Sequence, residues 1–180
     1  MKSTPTAIPE VLLLEPRVFG DARGYFLESW NERQFAALGI RERFVQDNHS
    51  RSAARVLRGL HYQVRQPQGK LVRVTHGAIW DVVVDLRRNS PSFGRHVALQ
   101  LDAASRAMLW IPAGFAHGFL VLSDAAEVQY KATDYYAPEH ERTLLWNDPA
   151  LGIRWPLEGE PLLSDKDRRG LTLAEAEMPG

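Results

Sequence analysis

The 180-residue sequence contains no cysteine. That absence excludes disulfide bonds, a thiolate nucleophile and cysteine-ligated zinc, and it is typical of a reducing compartment. Neither sign of charge is in excess, because 22 lysines and arginines balance 22 aspartates and glutamates. We therefore expect no nucleic-acid-binding face and no membrane-binding patch that depends on bulk charge. An anionic ligand would have to be held by particular residues.

Long apolar runs are also missing from the sequence. No stretch approaches the roughly 18 residues that a membrane-spanning helix needs. The N-terminus lacks the basic, apolar and small-residue order of a secretory signal. These absences predict a cytoplasmic protein with neither nucleic acid nor membrane among its partners. The length lies in the usual range of one domain, so we expect a single domain over residues 1–180.

Short apolar runs separated by turn residues indicate an all-β fold. The 11 prolines and 13 glycines are spread between these runs. Residues rich in β-branched and aromatic side chains predict strands at 11–19, 24–30, 71–76, 78–86, 96–101, 107–111, 117–122 and 127–133. Such spacing is typical of a sandwich or barrel. Helical signals are limited to 31–38, which opens with an Asn cap, and to a terminal turn at 172–177.

Alternation along a strand predicts which polar residues point into the barrel, because successive side chains face opposite sides of a sheet. Lys70 shares its side with Val72 and Val74, so we expect it to point inward. A lysine in that position needs an anionic partner or ligand. His117 and Tyr130 also fall on the apolar sides of their strands.

The segment 58–70 places an arginine, a histidine and a lysine around one predicted strand-turn-strand unit. His61 could serve as a base, Arg58 as an anion clamp and Lys70 as the ammonium that steadies an enolate. His61 shares its side of the strand with Gln63. Arg58 lies an odd number of residues from His61 and should face away, unless Gly59 introduces a β-bulge.

A second constellation runs from Pro112 to His117, where Pro and Gly turn the chain just before a histidine on a new strand. This is the form of the second box of cupin barrels. In a metal-binding cupin the first box would carry His-x-His and then Glu, whereas this chain has His61-Tyr62-Gln63 and no Glu at the expected distance. Stable metal sites generally need about three or more protein ligands. The sequence thus predicts a cupin without a metal.

Many motifs, in the same order along the chain, resemble the dTDP-4-dehydrorhamnose 3,5-epimerase family of metal-free cupin epimerases. They are Arg23-Gly-Tyr-Phe26 with Glu28, Gln46-Asp47-Asn48, Leu57-Arg-Gly-Leu-His-Tyr-Gln63, Gln68-Gly-Lys70, Asp81-Val-Val-Val-Asp85-Leu-Arg87, Ile111-Pro-Ala-Gly-Phe-Ala-His-Gly-Phe119, Tyr130-Lys131, Tyr135-Tyr136, Trp146-Asn-Asp148 and Ser164-Asp-Lys-Asp167. The resemblance implies a cupin-type jelly-roll barrel with short peripheral helices. It places the domain core at 8–167 and a C-terminal tail at 168–180.

The resemblance also implies an isomerase that inverts both carbons beside the ketone of a dTDP-linked 4-keto-6-deoxyhexose, in dTDP-L-rhamnose synthesis. No cofactor is needed, because the substrate's own carbonyl accepts the electrons. An imidazole can remove the proton beside a ketone if the enolate oxygen meets a positive charge or a strong donor. By this resemblance His61 is the base, Asp167 orients it, Lys70 faces the oxyanion and Tyr130 donates a proton from the opposite side.

Further ligand-binding residues follow from the same resemblance. Arg23 and Arg58 can meet phosphate oxygens, and Phe26 and Tyr136 are candidates to stack or pack near the thymine and sugar. The other expected lining residues are Glu28, Gln46, Asp47, Asn48, His117, Glu141 and Lys166. Related enzymes form dimers whose N-terminal strands cross to the partner. We therefore expect a homodimer in which part of one site can come from the second subunit.

Other interpretations remain open from the sequence. A sibling enzyme could act at one carbon only or move the carbonyl as a ketoisomerase, a non-catalytic barrel could bind the sugar nucleotide, and a metal-dependent cupin oxygenase is a further alternative. Asp81 and Asp85 alternate like an acid/base pair, but structural hydrogen bonding is the simpler interpretation. Arg55 and Gln129 depart from the family pattern, and both could alter the wall of the site.

Overall fold

A computed structural model describes residues 1–179, and it confirms the predicted all-β, cupin-type jelly roll. The strands are β1 (Lys2–Pro5), β2 (Leu12–Glu15), β3 (Val18–Asp21), β4 (Gly24–Leu27), β5 (Gln46–Ala53), β6 (Leu57–Gln63), β7 (Lys70–His76), β8 (Ala78–Asp85), β9 (His96–Asp102), β10 (Met108–Ile111), β11 (Phe115–Val121), β12 (Ala125–Ala132) and β13 (Glu141–Thr143). The helical elements are α1 (Glu32–Ala37), a 3₁₀ turn (Pro138–His140) and α2 (Asp165–Arg168). Gly180, the end of the expected tail, lies outside the described residues.

Two antiparallel sheets enclose the main core. One has six strands in the order β1-β2-β10-β7-β12-β5, and the other has five in the order β13-β6-β11-β8-β9. Strands that are neighbours in space but not in sequence require the long connections of a jelly roll. Between the sheets lie buried apolar side chains, among them Val72, Val74, Val83, Phe119 and Val128. The strands β3 and β4 pair with each other as a separate two-stranded hairpin.

The predicted helix at 31–38 is confirmed as α1. Asn31 accepts a hydrogen bond from the backbone N–H of Gln34 at 3.1 Å, so it caps the orphan N–H groups of the first turn. Phe35 is buried against Leu14 and Leu71 on the outer side of the six-stranded sheet. This small outer cluster fixes the helix beside the sheet.

Several predicted boundaries are wrong for identifiable reasons. The strand expected at 11–19 is two strands, because Pro16 has no N–H to donate to a ladder and the chain leaves the six-stranded sheet there. The strand expected at 24–30 ends at Leu27. Prediction missed β5, whose sequence is mostly polar, and the short elements β1, β13 and α2. The turn expected at 172–177 is present, with the N–H of Ala176 donating to the carbonyl of Thr172 at 3.0 Å.

The segment after β13 returns to β6 and closes one side of the interior. Leu162 forms a parallel bridge with Val56, and Leu171 forms another with Leu144. The intervening helix α2 is thereby held beside β6. None of the helices within residues 1–179 is long and apolar enough to cross a membrane.

Candidate active site

His61 and Asp167 form a close pair on the wall made by the five-stranded sheet. Nε2 of His61 lies 2.5 Å from Oδ1 of Asp167, and only 4% of the aspartate side chain is exposed. Burial would raise the pKa of Asp167, but hydrogen bonds from His61 and Ser164 outweigh it and the pKa is lowered. Burial lowers the pKa of His61 despite the opposing effect of Asp167. The ring is therefore poised to be neutral, with Nε2–H donated to Asp167 and Nδ1 left as an acceptor.

A β-bulge at Gly59 turns Arg58 and His61 to the same side of β6. Three residue steps along β6, from 58 to 61, oppose two along β11, from 119 to 117. Gly59 has a φ of +106°, and a Cβ there would lie 2.6 Å from Cα of Gly118, so only glycine fits. Arg58 is exposed at the edge of the interior, where its Nε donates to Oγ of the buried Ser52 at 2.9 Å and its charge acts on Tyr130. The bulge resolves the conflict in the sequence pattern.

Lys70 and Tyr130 face the interior from the six-stranded sheet. Lys70 is 8% exposed and makes no ion pair with any carboxylate of residues 1–179. Its Nζ lies 5.8 Å from the ring centroid of Tyr130. Burial lowers the pKa of Lys70 to about 8, against the opposing charges of Glu141 and Asp81. Burial also raises the pKa of Tyr130, so its phenol stays protonated at neutral pH.

Polar side chains form a hydrogen-bonded rim beside these groups. Oε2 of Glu141 accepts from the hydroxyl of Tyr136 at 3.0 Å and from Nζ of Lys166 at 2.8 Å. Gln46 accepts from the backbone N–H of Tyr136 at 3.0 Å and donates to Oδ1 of Asn48 at 2.9 Å. Nδ2 of Asn48 is buried without a partner in the described part of the chain. The rim thus offers both donors and acceptors to a polar ligand.

His117 lies directly opposite His61 on the neighbouring strand. It is buried, and its Nε2 is 3.0 Å from each carboxylate oxygen of Asp81, which is fully buried. Asp85 serves a separate network. Burial would raise its pKa, but hydrogen bonds, the strongest from Arg87, lower the pKa to about 2. The two aspartates therefore do not act as one acid/base pair.

Asp47 does not line the interior, so that expectation is wrong. Gln46 and Asn48 point inward from β5, and alternation sends the side chain between them to the outer face. The carboxylate of Asp47 accepts from Nζ of Lys131 at 2.9 Å, and 72% of its side chain is exposed. A motif that is contiguous in sequence is thus divided between two faces of the sheet.

Arg23, Phe26 and Glu28 are not brought to the interior of their own chain. Arg23 pairs with Asp21 on the same hairpin, and Phe26 is 69% exposed. Glu28 accepts from Nε2 of Gln34 at 2.7 Å. Within residues 1–179 none of the three makes a hydrogen bond or ion pair with an interior residue. Within one chain they are therefore not brought to the interior, because the hairpin pairs with neither large sheet and its Tyr25 packs on Arg106 at the surface. Their expected place in the site stays a prediction.

The expectation that Arg55 and Gln129 alter the wall of the site is also wrong. Arg55 occupies the turn between β5 and β6 with a φ of +62°, and it donates to the carbonyl of Glu160 at 2.6 Å. Gln129 lies on the outer side of β12, in a surface pocket that also contains Arg73. Neither side chain points between the two sheets, although the pocket beside Gln129 also touches Asn48 and Tyr130.

Sequence reasoning missed two polar neighbours of the His61–Asp167 pair. Ser164 donates from Oγ to Oδ2 of Asp167 at 2.8 Å. Thr143 lies opposite His61 in the register of β13 and β6, and its Oγ1 is buried with no partner in residues 1–179. The cap spacing Ser-x-x-Asp could have revealed Ser164. Thr143 gave no signal, because its strand is only three residues long.

The interior as a whole can perform proton transfer at a carbon beside a carbonyl. His61 and Tyr130 project from different sheets. Lys70 lies beside the ring of Tyr130 and is also close enough to His61 for its charge to lower the pKa of that residue, although burial lowers it more. A neutral imidazole, an ammonium and a phenol can remove a proton, stabilise an enolate and return a proton. No group of His, Cys, Asp and Glu able to hold a metal ion occurs among residues 1–179.

The sequence is similar to a family of known proteins over nearly its whole length. The profile of the family described as dTDP-4-dehydrorhamnose 3,5-epimerase matches residues 5–175. A protein so described from Pseudomonas aeruginosa is 62% identical over 178 residues, covering 98% of each chain. Another, from Escherichia coli, is 57% identical over 172 residues, covering 94% of this chain and 93% of the relative.

Solved structures share the fold closely. A dTDP-6-deoxy-D-glucose-3,5-epimerase from Legionella pneumophila, in complex with dTDP-4-keto-L-rhamnose, has a TM-score of 0.97 and 47% identity, covering 99% of this chain and 97% of that one. A 3′-monoepimerase from Streptomyces bikiniensis, in complex with dTDP-quinovose, has a TM-score of 0.88 and 36% identity, covering 94% of this chain and 87% of that one. Enzymes with different regiochemistry in their descriptions thus share this scaffold.

Proposed function

The chain belongs to the dTDP-4-dehydrorhamnose 3,5-epimerase family, and from that premise we propose how its interior carries out the reaction. It is an isomerase that converts dTDP-4-dehydro-6-deoxy-D-glucose to dTDP-4-dehydro-L-rhamnose in dTDP-L-rhamnose synthesis. One observation supports the mechanism: the His61–Asp167 pair lies on the five-stranded sheet, and Tyr130 with Lys70 lies on the six-stranded sheet that packs against it.

In this mechanism His61 removes the proton beside the ketone. The proton passes from carbon to Nδ1, and the electron pair of the C–H bond moves into the carbonyl to give an enolate. Asp167, whose pKa is lowered after hydrogen bonds outweigh burial, stays a carboxylate and stabilises the imidazolium through Nε2. The pair thus makes the neutral imidazole a stronger base than burial alone would allow.

Lys70 stabilises the negative charge that develops on the carbonyl oxygen. Its ammonium is buried and forms no ion pair within residues 1–179, so its charge is available to a ligand. A positive charge held in a water-excluded site stabilises an oxyanion far more than the same charge in water. The substrate's carbonyl is then the electron sink, and the proposed reaction uses no cofactor.

Tyr130 returns a proton to the carbon from the opposite side. Because burial raises the pKa of its phenol, the hydroxyl remains protonated and can donate to the carbanion. Removal on one face and return on the other inverts the carbon. Exchange with solvent then restores the proton of Tyr130 and removes that of His61, and the same cycle inverts the second carbon.

The rim residues and Arg58 are proposed to hold the nucleotide diphosphate and sugar. Arg58 offers a guanidinium to phosphate oxygens, and the free Nδ2 of Asn48 offers a donor. His117 borders the sugar from the five-stranded sheet. The remaining rim residues are Gln46, Tyr136, Glu141 and Lys166.

We also propose that two copies of the chain form a homodimer by exchange of N-terminal strands. The β3–β4 hairpin exposes Phe19 and Phe26, which lie opposite each other in its register and form one apolar patch. Such a patch is typical of an interaction surface. The hairpin would bring Arg23, Phe26 and Glu28 to the partner's site, although they do not reach the site of their own chain. A cytoplasmic location and a single domain over 1–180 stay predictions.

Deuterium uptake from solvent tests the proposed function. Wild-type enzyme incubated with dTDP-4-dehydro-6-deoxy-D-glucose in deuterated water should carry deuterium at both carbons beside the ketone. Label at one carbon only would favour a single-site epimerase, as in the similar 3′-monoepimerase, and a displaced carbonyl would indicate a ketoisomerase. Binding without any label would leave a non-catalytic sugar-nucleotide-binding protein.

The role of Tyr130 is tested in the same assay with Tyr130→Phe. This variant should still exchange the proton that His61 removes but should invert the carbon poorly, because the donor on the opposite face is missing. Gln129→Leu is the matched control, because Gln129 precedes Tyr130 on β12 and its side chain points to the outer face. Equal losses of exchange and inversion in Tyr130→Phe would contradict the assigned role.

A further inference from the structure

The carboxylate of Asp167 is held at both oxygens. Oδ1 meets Nε2 of His61 at 2.5 Å, and Oδ2 accepts from Oγ of Ser164 at 2.8 Å. The same Oγ accepts from the backbone N–H of Asp167 at 3.1 Å. Ser164 therefore bonds to both the side chain and the main chain of Asp167, and within residues 1–179 it forms no hydrogen bond with His61 itself.

The orientation of this carboxylate depends on a short structural unit. Asp167 belongs to α2, a helix of four residues, in a segment that otherwise has little regular secondary structure. The unit has few internal hydrogen bonds, and its carboxylate is otherwise contacted by His61 and by the backbone of Gly59, so the bond from Ser164 is one of three that orient it. Ser164 is itself exposed whereas Asp167 is 3% exposed, so the serine lies where the buried carboxylate meets solvent.

We propose that Ser164 is a positioning residue for catalysis: its hydroxyl fixes Oδ2 so that Oδ1 stays directed at His61. This inference rests on the proposed role of His61 as the base. An imidazole that can rotate presents Nδ1 to the substrate for only part of the time, and small misplacements of a reacting group slow proton transfer. Ser164 thus acts on the reaction through Asp167 and does not touch substrate.

The pH dependence of the reaction distinguishes this role from a purely structural one. The charged and titratable groups around His61 are Asp167 and Lys166 from α2, Lys70 from β7, Glu141 from β13 and His117, with its partner Asp81, from the neighbouring strands. Removing the hydroxyl of Ser164 leaves all of them in place. If Asp167 then turns away, it no longer raises the pKa of His61 against the effect of burial, and that pKa falls further.

The experiment compares wild type with Ser164→Ala and Ser164→Thr. In Ser164→Ala we expect kcat to fall about threefold to tenfold, as for the loss of one hydrogen bond that water partly replaces, with KM within about twofold. The acid limb of kcat/KM should move to lower pH, because that limb reports the base of the free enzyme. Ser164→Thr keeps the hydroxyl and should restore both the rate and the profile.

Two further variants separate positioning from helix capping. Ser164→Gly keeps an acceptable N-cap residue but has no hydroxyl, so it should lose activity as Ser164→Ala does while remaining nearly as stable as wild type. Ser105→Ala removes an exposed turn serine that bonds to the carbonyl of Asp102, and it should leave kcat unchanged. Thermal unfolding of each variant measures how much stability the substitution removes.

The proposal is overturned if Ser164→Gly retains the wild-type rate, or if the acid limb of Ser164→Ala stays in place or moves to higher pH. Failure of the proposed function gives a different result. In that case wild type itself shows no exchange beside the ketone, and the Ser164 series has no rate to compare.

Discussion

Two histidine–carboxylate pairs on this fold have similar contacts but different surroundings. His61 and Asp167 are 2.5 Å apart, and their side chains are 25% and 4% exposed. His49 and Glu127 are 3.0 Å apart on the outer face of the six-stranded sheet, where their side chains are 50% and 33% exposed. Water competes for the outer pair and screens its charges, whereas the inner pair interacts in a low-dielectric cavity. Burial, and not pairing alone, therefore distinguishes the proposed base from a surface histidine.

Two lysines extend the same comparison. Lys131 lies on the outer face and pairs with Asp47 at 2.9 Å, while Lys70 on the adjacent strand is buried without an ion pair in the described residues. A partly exposed lysine that pairs with an exposed carboxylate is an ordinary surface feature. A buried, unpaired one destabilises the free protein, and a bound oxyanion would relieve that cost. The outer face of this sheet thus carries an ordinary surface ion pair, and the inner face carries the lysine proposed to take part in the reaction.

The strongest test of this contrast replaces the two histidines in turn. His61→Asn should reduce kcat about 10²- to 10⁴-fold, the usual contribution of a general base. His49→Asn should leave it within about twofold, because its pair is solvated. Rates of deuterium uptake beside the ketone report both variants. A comparable loss in His49→Asn would mean that the outer face takes part in the reaction.

The lysines provide the next test. Lys70→Met should lower kcat about 10²- to 10³-fold, which is typical for removal of one group that stabilises an oxyanion. Lys131→Met loses an ion pair with Asp47 and a contact with the ring of Trp30, both on the outer face, and should keep its rate. Measured kcat values decide the matter, and a Lys70→Met enzyme of normal rate would remove Lys70 from the mechanism.

The lowered pKa of Lys70 predicts that stability depends on pH, and the same two variants test it. Burial lowers the pKa of Lys70 from its ordinary value to about 8, so between about pH 8 and 10.5 the unfolded chain binds more protons than the folded one. The free energy of unfolding of wild type should then rise through this window relative to Lys70→Met, by on the order of 3 kcal/mol. In Lys131→Met the free energy of unfolding should rise through this window as much as it does in wild type. Urea titrations of the three proteins at pH 7 and pH 10 measure it.

A glycine pair tests the bulge that turns Arg58 and His61 to the inner side. Gly59→Ala would place its Cβ 2.6 Å from backbone atoms of the neighbouring strand, at a φ of +106°. We expect a loss of roughly 2–5 kcal/mol in unfolding free energy. Gly39→Ala has a φ of +90° but no atom within 4 Å, and should cost about 1–2 kcal/mol. Equal costs measured by denaturant unfolding would show that the bulge tolerates a side chain.

The bulge also marks how far sequence patterns could predict this site. Alternation correctly placed Lys70, His117 and Tyr130 on the inner faces of regular strands. It failed for Arg58, because one extra residue at Gly59 reverses the parity of everything before it. The sequence could flag that conflict but not decide it, since the decision depends on how closely β11 approaches.

Sequence patterns also could not predict which distant segment of the chain packs against His61. Residues 164–167 join His61 across more than a hundred positions, and nothing local in either segment indicates the contact. Only the resemblance to a family suggested Asp167 as a partner. Ser164 and Thr143, for which the resemblance supplied no role, emerged from the packing alone.

The smallest effect is expected at Asp47, where motif and structure disagree. Asp47 stands between two inward-facing residues of β5, yet its carboxylate is 72% exposed and bonds to Lys131 on the outer face. Asp47→Asn should change the free energy of unfolding by less than about 1 kcal/mol, as for exposed ion pairs in general, and should leave KM unaltered. Asn48→Asp, at the next position on the inner face, replaces a buried donor with a charge and should raise KM. If Asp47→Asn raises KM as well, the outer face must be covered by ligand or by the partner subunit in the working enzyme, and alternation within one chain would no longer separate binding residues from surface residues.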